Sequence, residues 1–503
     1  YWKGIKSEQL LQLIAGVSGL YLEASSESHY ANPGDLVTIQ LEAINRSSWP
    51  VSLMGFRLDN GTQLDSVIPL PFNKRKVLEA TLQVPQDHPG TAPYWLDKPG
   101  PIGMYLVEDP ELIGKPQTPP AFHLHTTLSI AGSEIPFSLP VIHRYSEPDK
   151  GELYRAFDIV PKVTASFDEQ VKMFTSSHPR QVRLTVKSQT DQASGTVRLE
   201  VPEDWRAEPA SFPLSLNGKG DEQIFEFTVL PPTGASQGYV NPDIRIDGAT
   251  YQKELVTIAY EHIPTQTILL PARVKVVRLD VAKAGQHIGY VMGAGDEVPR
   301  NLEAIGYTVH LMKVTDLTDN ALRTMDAVML GIRAYNVLNE LPFKNDVLME
   351  YVQQGGTLVV QYNTSGRGNR DFSNLAPYPL RLSRDRVSDE TAPVDFLEPD
   401  HPVLNFPNQI HLEDFEGWVQ ERGLYFPDQW DPAYKPILAM NDPGEDSKQG
   451  ALLVAPYGEG YYIYTGLSFF RELPAGVPGA FKLLSNILSI GKDHNTKTNG
   501  VKG

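Results

Sequence analysis

The sequence of 503 residues contains no cysteine. This absence excludes disulfide bridges, thiolate metal sites and any mechanism that uses a cysteine nucleophile. It does not fix the compartment, because a chain without cysteine cannot form wrong disulfides in oxidising surroundings. Basic residues are also scarce: 44 Lys and Arg stand against 61 Asp and Glu, which gives a net charge of −17. Nucleic acid and anionic membranes bind basic surfaces, so neither is an expected partner.

Long apolar runs are missing as well. No stretch approaches the roughly 18 apolar residues that cross a bilayer, and no signal peptide is visible. Residues 1–24 are predicted to form a linker helix that is capped by Ser7. The residues predicted on its apolar face are Leu10, Leu13, Ile14 and Val17. A start at Tyr1, this close to an amphipathic helix, is typical of a fragment of a longer protein.

Proline and glycine, in contrast, are abundant, with 41 Pro and 40 Gly spread along the chain. This distribution predicts many turns between short strands. At about 100–200 residues per domain, a chain of this length is expected to form three domains. We place them at residues 25–147, 148–282 and 283–492, followed by a polar tail at residues 493–503.

The first two predicted domains show the period of two that is typical of half-buried antiparallel strands. In the stretch LVTIQLEAI, Val37, Ile39 and Leu41 share one face, after a predicted turn at residues 32–35. The stretches QVRLTVKS and QIFEFTVLPP of the second domain alternate in the same way. Short alternating strands with regular turns predict two all-β, immunoglobulin-like sandwiches.

After about residue 283 the pattern changes to strands that alternate with helices. The strands HIGYVMG, YTVHLM, DAVMLG and GTLVVQYN are short and apolar. The helix after the first of them is predicted to have Pro299 in its first turn and Gly306 at its end. Such an alternation predicts a mostly parallel sheet with helices on its faces, which is an α/β domain.

Three stretches carry a resemblance to a known family. They are KGIKSEQLLQLIAGVSGLYLEA near the beginning, ILLPARVKVVRLDV with the following HIGYVMGAGDEVPRNLEAIGY, and the long run from HPVLNFPNQIHLEDFEGW to AFKLLSNILS. They resemble the region after the catalytic domain of long, multidomain bacterial PIG-L (LmbE-like) deacetylases. The last domain is also similar to ThuA-like proteins, which implies a flavodoxin-like, class I glutamine amidotransferase-like fold.

The resemblance implies a role and a location, but the catalytic motif of the family is missing. PIG-L deacetylases hold zinc with a short His-Pro-Asp-Asp-type motif, whereas His178-Pro179 and His401-Pro402 are followed by Arg180 and Val403. We therefore expect no catalytic residue, no metal and no cofactor in this chain, and zinc in a deacetylase domain outside it. That domain and glycans are the implied partners, and the implied location is periplasmic or secreted.

The position of the amidotransferase nucleophile follows the strand TLVVQ, at residues 362–365. Asn363 cannot attack a carbonyl group. Ser365 would need a neighbouring base, and no G-x-S-x-G pattern surrounds it. We expect no working nucleophile here.

A binding crevice is predicted at the carboxyl edge of the parallel sheet, where the loops after successive strands meet. The residues predicted to line it are Asp296, Glu297, Arg333, Asn336, Tyr362, Asn363 and Arg367. Arg333 is the central residue of this prediction, because a guanidinium can hold a planar polar group with two hydrogen bonds. Its predicted resting partners are Asp296 and Glu297. In the alternative interpretation, these side chains cap helices and satisfy the backbone of the loops.

Other clusters of chemically active residues have simpler interpretations. Gly293-Ala294-Gly295 lacks the third glycine of a dinucleotide motif and is followed by acids, which repel phosphate. The acidic run around His411 and Glu413 is predicted to be an exposed loop that covers a packed Trp418. His123 and His125 face the same way on a predicted strand, but a metal would need a third ligand.

Aromatic residues in loops can stack on the faces of sugar rings. We consider Trp95, Trp205 and Trp418 as such platforms, with the closure of a core or a domain interface as the alternative.

Together these observations favour a non-catalytic accessory region of a PIG-L-type deacetylase that supports the catalytic domain and contacts carbohydrate. One alternative is a ThuA-like domain with a degenerate or unrecognised hydrolase or small-molecule site of its own. A further alternative is a structural spacer.

Overall fold

The computed structural model of the chain describes residues 2–365 and 375–492. Two mostly β, sandwich-like regions are followed by a C-terminal α/β region with a mixed, largely parallel sheet. This succession confirms the prediction of β domains before an α/β domain. None of the helices in the described ranges is long and apolar enough to cross a membrane.

The first element is helix α1 (Trp2–Val17). Because the helix begins at Trp2, Ser7 lies inside it, and the prediction that Ser7 caps it was wrong. Leu11, Ile14 and Ala15 pack against the first β region. Leu10, Leu13 and Val17 are 56%, 60% and 76% exposed, so the predicted apolar face was wrong for these three. Leucine and isoleucine occur on several sides of this helix, and the periodicity therefore does not select the buried side.

The first β region is a sheet with the strand order β5-β4-β8-β9-β1-β3-β7, in which β6 pairs with β4 and β10 pairs with β9. Its strands and the short β2 are β1 (Leu20–Ser26), β2 (Tyr30–Ala31), β3 (Leu36–Asn45), β4 (Val51–Leu58), β5 (Gln63–Leu64), β6 (Ile68–Pro69), β7 (Arg75–Gln83), β8 (His123–Ile130), β9 (Ser133–Glu147) and β10 (Gly151–Ala156). A long loop at residues 84–122 joins β7 to β8.

Strand β9 joins the two halves of this sheet, which are β5, β4 and β8 on one side and β1, β3 and β7 on the other. Its first part pairs with β8 up to Pro140, and its next part pairs with β1 from Val141 onward. The halves share one core, in which Ile39 and Leu41 of β3 meet Leu124 and other residues of β4 and β8. The hairpin of β9 and β10 extends this sheet to residue 156, so the boundary predicted at residue 147 falls inside the hairpin.

The second β region follows directly. Its strands are β11 (Asp158–Ile159), β12 (Val163–Phe167), β13 (Val171–Phe174), β14 (Arg180–Ser188), β15 (Ala193–Glu200), β16 (Arg206–Glu208), β17 (Phe212–Leu216), β18 (Glu222–Leu230), β19 (Ser236–Ile246), β20 (Ala249–Tyr251), β21 (Lys253–Ile258), β22 (Gln266–Pro271) and β23 (Val274–Arg278). One sheet has the order β12-β14-β18-β16, and the other has the order β13-β23-β19-β15-β17 with β20 on β19. Strand β11 pairs with β2 of the first region, and β21 forms a hairpin with β22.

The C-terminal region alternates strands and helices. Its strands are β24 (His287–Val291), β25 (Thr308–Leu311), β26 (Ala327–Leu330), β27 (Thr357–Gln361), β28 (Leu380–Val387), β29 (Val394–Phe396), β30 (Gly423–Trp430), β31 (Lys435–Pro436), β32 (Leu438–Met440), β33 (Leu452–Tyr457) and β34 (Gly460–Thr465). Its helices are α2 (Val298–Ala304), α3 (Asp319–Leu322), α4 (Ala334–Val337), α5 (Asn345–Gln353), α6 (Pro402–Asn405), α7 (Phe469–Glu472) and α8 (Pro478–Ser489). Short 3₁₀ turns cover Val314–Asp316, Leu341–Lys344, Leu412–Phe415 and Ile490–Lys492.

The main sheet of this region has the order β25-β24-β26-β27-β34-β33-β31. The pairs from β25 to β34 are parallel, and β33 and β31 are added antiparallel. Apolar residues on both faces form two cores. Leu302 of α2 and Leu484 of α8 lie in one of them, and Leu348 of α5 lies in the other. Pro299 stands in the first turn of α2 and Gly306 follows its end with a positive φ, as predicted.

Candidate functional site

The carboxyl ends of β24, β26, β27 and β34 lie side by side because these strands are parallel neighbours. Parallel strands deliver the loops that follow them to one edge of the sheet, where ligands of such folds bind. Backbone hydrogen bonds join the loops here: Ala294 donates to the carbonyl of Ile332 (2.8 Å), and Arg333 donates to that of Tyr362 (2.8 Å). The predicted crevice residues lie in these loops, except Asn336, which lies in α4 after β26, and Arg367, which lies outside the described residues.

Asp296 is half-buried, and both of its carboxylate oxygens accept hydrogen bonds. The hydroxyl of Tyr290 donates to its carboxylate at 2.8 Å, and the backbone N–H groups of Val298 and Ile332 point at it from 3.1 and 3.5 Å. Burial raises the pKa of Asp296, and the hydrogen bond from Tyr290 opposes this rise. Tyr290 accepts in turn from the side chain of Gln361 (2.9 Å). Asp296 therefore ties the loop after β24 to the start of α2 and to the loop after β26.

Arg333 is held by its backbone and not by its side chain. It precedes α4 in the left-handed region, with a φ of 57°. Its side chain is exposed. The predicted ion pairs of Arg333 with Asp296 and Glu297 are wrong. Asp296 accepts from the hydroxyl of Tyr290 instead. Glu297 is exposed, and its carboxylate lies 3.9 Å from the guanidinium of Arg300.

The two asparagines bind loop backbone. Asn336 donates to the carbonyl of Thr364 (3.3 Å) and accepts from its N–H (2.8 Å). Asn363 is fully buried, accepts from the N–H of Tyr335 (3.0 Å) and donates to the carbonyl of Gln361 (3.0 Å). For these residues the alternative interpretation, in which polar side chains satisfy loop backbone, is confirmed.

Tyr362 belongs to an aromatic group that we call the edge cluster, formed by Tyr362, Tyr425 and Phe470. The rings of Tyr362 and Tyr425 lie nearly parallel, with centroids 5.9 Å apart, and Phe470 lies 5.5 Å from Tyr362. Arg471 stacks over Phe470 at 4.9 Å and pairs with Glu421 at 2.8 Å. Burial raises the pKa of Tyr362, while the nearby charge of Arg333 lowers it.

The edge cluster was missed by the sequence analysis, although one signal was available. Phe470 and Arg471 follow β34, which ends at the same edge as β27. The predicted crevice includes the loops after the first, third and fourth strands and not the loop after the last parallel strand. Tyr362 is buried, but Tyr425 and Phe470 are half-buried, and this aromatic surface near the exposed Arg333 is suited to a planar ligand with acceptor groups.

Both residues considered at the nucleophile position, Asn363 and Ser365, form hydrogen bonds with backbone groups. Asn363 is buried, and the hydroxyl of Ser365 donates to the backbone carbonyl of Ser383 (2.7 Å). A backbone carbonyl cannot take the proton of an attacking hydroxyl. Among the residues that the structure describes, Ser365 therefore has no contact with a base, on which covalent catalysis depends.

A second polar group lies beneath the loops of the same region. Glu472 is fully buried, accepts from the N–H of Val419 (2.9 Å), and has its other carboxylate oxygen buried without a hydrogen-bond partner in the described ranges. Burial raises its pKa to about 8. A carboxyl group that is neutral near pH 7 can act as an acid, but full burial keeps substrate away from this one.

The histidines and acids singled out in the sequence do not form a metal site. Across residues 2–365 and 375–492, no group of three or more His, Asp or Glu has the arrangement to hold a metal ion. His125 contacts Asp59 at 3.0 Å, and the nitrogen of His123 lies 3.8 Å from the same carboxylate. Asp414 accepts from the backbone of His411 and pairs with Lys482 at 2.8 Å, above the buried Trp418.

Two of the three residues considered as sugar platforms, Trp205 and Trp418, are core residues, so the platform prediction was wrong for them and the alternative, closure of a core, is confirmed. Trp205 is buried, packs edge-on against Phe174 and donates to Ser236 (3.0 Å). Trp418 is buried and stacked on Phe415. A ring enclosed on both faces cannot stack on a sugar. Trp95 is half-buried in the long loop, edge-on to Tyr94, and its role as a platform stays a prediction.

Comparisons with known proteins give no family. No protein-family model matches the sequence, and no curated protein matches it significantly. Similar solved structures include Salmonella alpha-2-macroglobulin reacted with methylamine (10% identity, 53% of this chain and 17% of that chain, TM-score 0.18). They also include an exo-beta-1,4-mannosidase from an Opitutaceae bacterium (11% identity, 42% and 35% of the chains, TM-score 0.24) and a C. elegans MSP family member (10% identity, 23% and 97%, TM-score 0.15). TM-scores this low carry no argument about function.

Proposed function

We propose that this chain is a non-catalytic accessory region of a PIG-L/LmbE-type, zinc-dependent N-acetylglucosaminyl deacetylase. In this proposal, zinc and the catalytic residues belong to a deacetylase domain outside the chain. The sandwich-like regions support that domain and contact glycans, in a periplasmic or secreted location. The proposal includes immunoglobulin-like sandwiches and a flavodoxin-like, ThuA-type last domain. The strand order β25-β24-β26-β27-β34 supports the latter, because flavodoxin-like sheets place their first strand between the second and third.

The observation that carries the proposal is that the polar side chains at the sheet edge form hydrogen bonds with the backbone. Asp296, Asn336 and Asn363 each bind loop backbone, and Ser365 donates to a carbonyl. An active site of the amidotransferase type needs a nucleophile at this position with a base in reach. Side chains that are committed to the backbone stabilise the loops instead, which supports a non-catalytic role.

Helix α1 supports contact with a neighbouring domain. Leu10, Leu13 and Val17 lie three and four residues apart, so they form one stripe on the side of α1 that faces away from the first β region. An exposed apolar stripe of this kind is typical of an interaction surface.

The first experiment measures acetate release from N-acetylglucosaminyl substrates by residues 1–503, with and without added zinc. We expect none, and metal-dependent turnover that persists through repurification would contradict the proposal.

The second experiment uses a deacetylase domain expressed separately from the parent gene. Leu13→Glu should weaken its binding by about tenfold or more, because it places a charge on the apolar stripe. The matched control is Gln12→Glu, which adds the same charge on the other side of the helix and should leave binding unchanged.

One observation favours a second candidate function. The edge cluster lies beside the exposed Arg333, and this combination supports a small-molecule site in a ThuA-like domain. Arg333→Ala should then abolish the binding of a planar carboxylate such as benzoate, measured by ligand-observed NMR. Equal binding by the variant and the original chain would exclude this role.

A further inference from the structure

A cavity of about 390 Å³ lies where the first β region meets the second. Its walls come from the long loop at residues 84–122, from β9 and β10, and from the beginning of β22. The volume is in the range of small-molecule sites, which also occur preferentially between domains. Long loops without secondary structure of their own are often binding loops, and this loop supplies a large part of the wall.

The loop that lines the cavity is hydrogen-bonded to the second β region, and five prolines contribute to the walls. Backbone hydrogen bonds hold the loop in place: Thr91 donates to the carbonyl of Ile159, and the N–H of Ile159 donates back to the hydroxyl of Thr91, both at 2.8 Å. The prolines in the walls are Pro93, Pro119, Pro120, Pro140 and Pro264. Proline has no backbone N–H, so these residues offer ring surface and carbonyl acceptors only.

Two opposite charges reach the cavity without forming an ion pair. Asp158 is 5% exposed, and one of its oxygens accepts from the hydroxyl of Thr267 at 2.7 Å. Arg155 donates to the same hydroxyl at 3.3 Å, and its Nε–H is buried without a hydrogen-bond partner within the described ranges. Burial raises the pKa of Asp158, and Thr267 and Arg155 oppose the rise. The hydroxyl of Thr267 thus stands between a carboxylate and a guanidinium, each of which can form further hydrogen bonds.

This combination selects for a neutral ligand. A cation is attracted by Asp158 but repelled by Arg155, and the reverse holds for an anion, so neither gains much from the charges. A hydroxyl group can donate to the carboxylate and accept from the guanidinium, and hydrogen bonds to charged groups are stronger than neutral ones. The ring of Tyr154, about half exposed at the cavity, and the proline rings match the C–H face of a sugar.

We propose that this cavity binds a neutral, polyhydroxylated ligand, namely a monosaccharide or the terminal unit of a glycan. Asp158 accepts hydrogen bonds from its hydroxyl groups, Arg155 donates to them, and Tyr154 with the prolines packs against its ring. The proposal rests on the proposed function only in naming a glycan. It needs no deacetylase domain, so the two can fail separately.

The test titrates the full chain with N-acetylglucosamine, with cationic glucosamine and with anionic glucuronate, by calorimetry and saturation-transfer NMR. We expect N-acetylglucosamine to bind and both charged sugars to bind at least about tenfold more weakly. Asp158→Asn and Tyr154→Ala should each weaken the binding of N-acetylglucosamine by about tenfold or more. The matched control is Asp243→Asn, which changes another buried carboxylate that lies beside an arginine, Arg245, and should leave binding unchanged.

Three results would overturn the proposal: no binding of N-acetylglucosamine, equal binding by the Tyr154→Ala variant, or tighter binding of either charged sugar. Circular dichroism checks the fold of each variant. Tyr154 is exposed on β10, so its variant remains informative even where Asp158→Asn unfolds. Deacetylase activity of the chain would contradict the proposed function and would leave this result unchanged.

Discussion

Two arginines of the α/β region show how differently the same side chain is used. Arg422 is 4% exposed and donates to the carbonyl of Ala392 at 3.0 and 2.8 Å and to the carbonyl of Phe415. Its guanidinium lies beside the stacked rings of Phe415 and Trp418, 5.8 and 5.7 Å from their centroids, and burial lowers its pKa. Arg333, in contrast, has an exposed side chain. The first arginine is part of the fold, and the second is available to a ligand.

This difference predicts the effect of removing each side chain. Arg422→Ala leaves two buried carbonyls without donors and opens a cavity, so we expect a loss of at least about 3 kcal/mol. Arg333→Ala should change the free energy of unfolding by less than about 0.5 kcal/mol. Urea unfolding measures both variants. A large loss from Arg333→Ala would mean that its side chain is structural after all.

Glu472 predicts a pH dependence of stability. Its pKa is raised from 4.5 to about 8 by burial, so the folded state keeps the proton at pH values where the unfolded state has released it. The contribution of Glu472 to the free energy of unfolding is therefore fully present at pH values below its ordinary pKa of 4.5. It is lost as the pH rises through this range toward about 8. Glu472→Gln cannot ionise and keeps an acceptor for Val419, and unfolding at several pH values should show a smaller loss between these limits. An unchanged pH profile would contradict the assignment.

At the scale of the elements, the site could be predicted only in part. The loops after β24, β26 and β27 were predicted at one edge because parallel strands require it. For Asn336 and Asn363 the alternative interpretation gave the role, but the partners Thr364 and Tyr335 were not predictable, because they become neighbours only after the loops fold together. Long-range pairing also explains why the antiparallel pairs of β28 with β30 and of β29 with β32 were missed.

The clean alternation of the β regions made their strands predictable. Val182, Leu184 and Val186 of β14 are buried, and so are Phe225 and Phe227 of β18, as the period of two requires. Trp205 and Trp418 were assigned to loops from local sequence, where an aromatic residue can be a platform or a core residue. Their burial depends on Phe174 and Phe415, whose positions follow from packing and not from local pattern.

Helix α1 provides a test with two adjacent residues. Ile14 packs against the first β region, whereas Leu13 is exposed. Ile14→Glu places a charge against apolar side chains and should cost about 1–3 kcal/mol in the docking of the helix. Leu13→Glu should cost less than about 0.5 kcal/mol. Hydrogen exchange of the α1 amides measures the docking, and equal effects of the two changes would show that the helix packs on another side.

At the scale of the whole molecule, the second β region and the α/β region share a core. Val277 of β23 and Leu279 belong to the same buried cluster as Leu484 of α8. The ammonium group of Lys275 donates to the carbonyls of Ala475 (3.0 Å) and Gly476 (3.2 Å), which follow α7. Two regions that bury apolar residues together are expected to unfold together.

Gly476 allows this coupling to be tested. Its φ is +64°, and a Cβ atom there would lie 2.6 Å from the side chain of Val171 in β13. Gly444 also has a positive φ, of +82°, but a Cβ atom would meet nothing within 4 Å. Gly444→Ala should therefore lower the free energy of unfolding by only about 1–2 kcal/mol, which is the cost of a side chain in the left-handed region. Gly476→Ala should lower it by about 1–3 kcal/mol more, because the new Cβ atom also disturbs the contact between the regions.

Tryptophan fluorescence during urea unfolding reports both regions, because Trp205 is buried in the second β region and Trp418 in the α/β region. Because the chain has six tryptophans, the difference between the original chain and a Trp205→Phe variant isolates the signal of Trp205, and a Trp418→Phe variant isolates that of Trp418 in the same way. We expect coincident transitions in the original chain and in Gly444→Ala, because the shared core stays intact. In Gly476→Ala the weakened contact should separate the transitions. Separate transitions in the original chain, or equal losses from the two glycine variants, would show that the two regions fold independently of this contact.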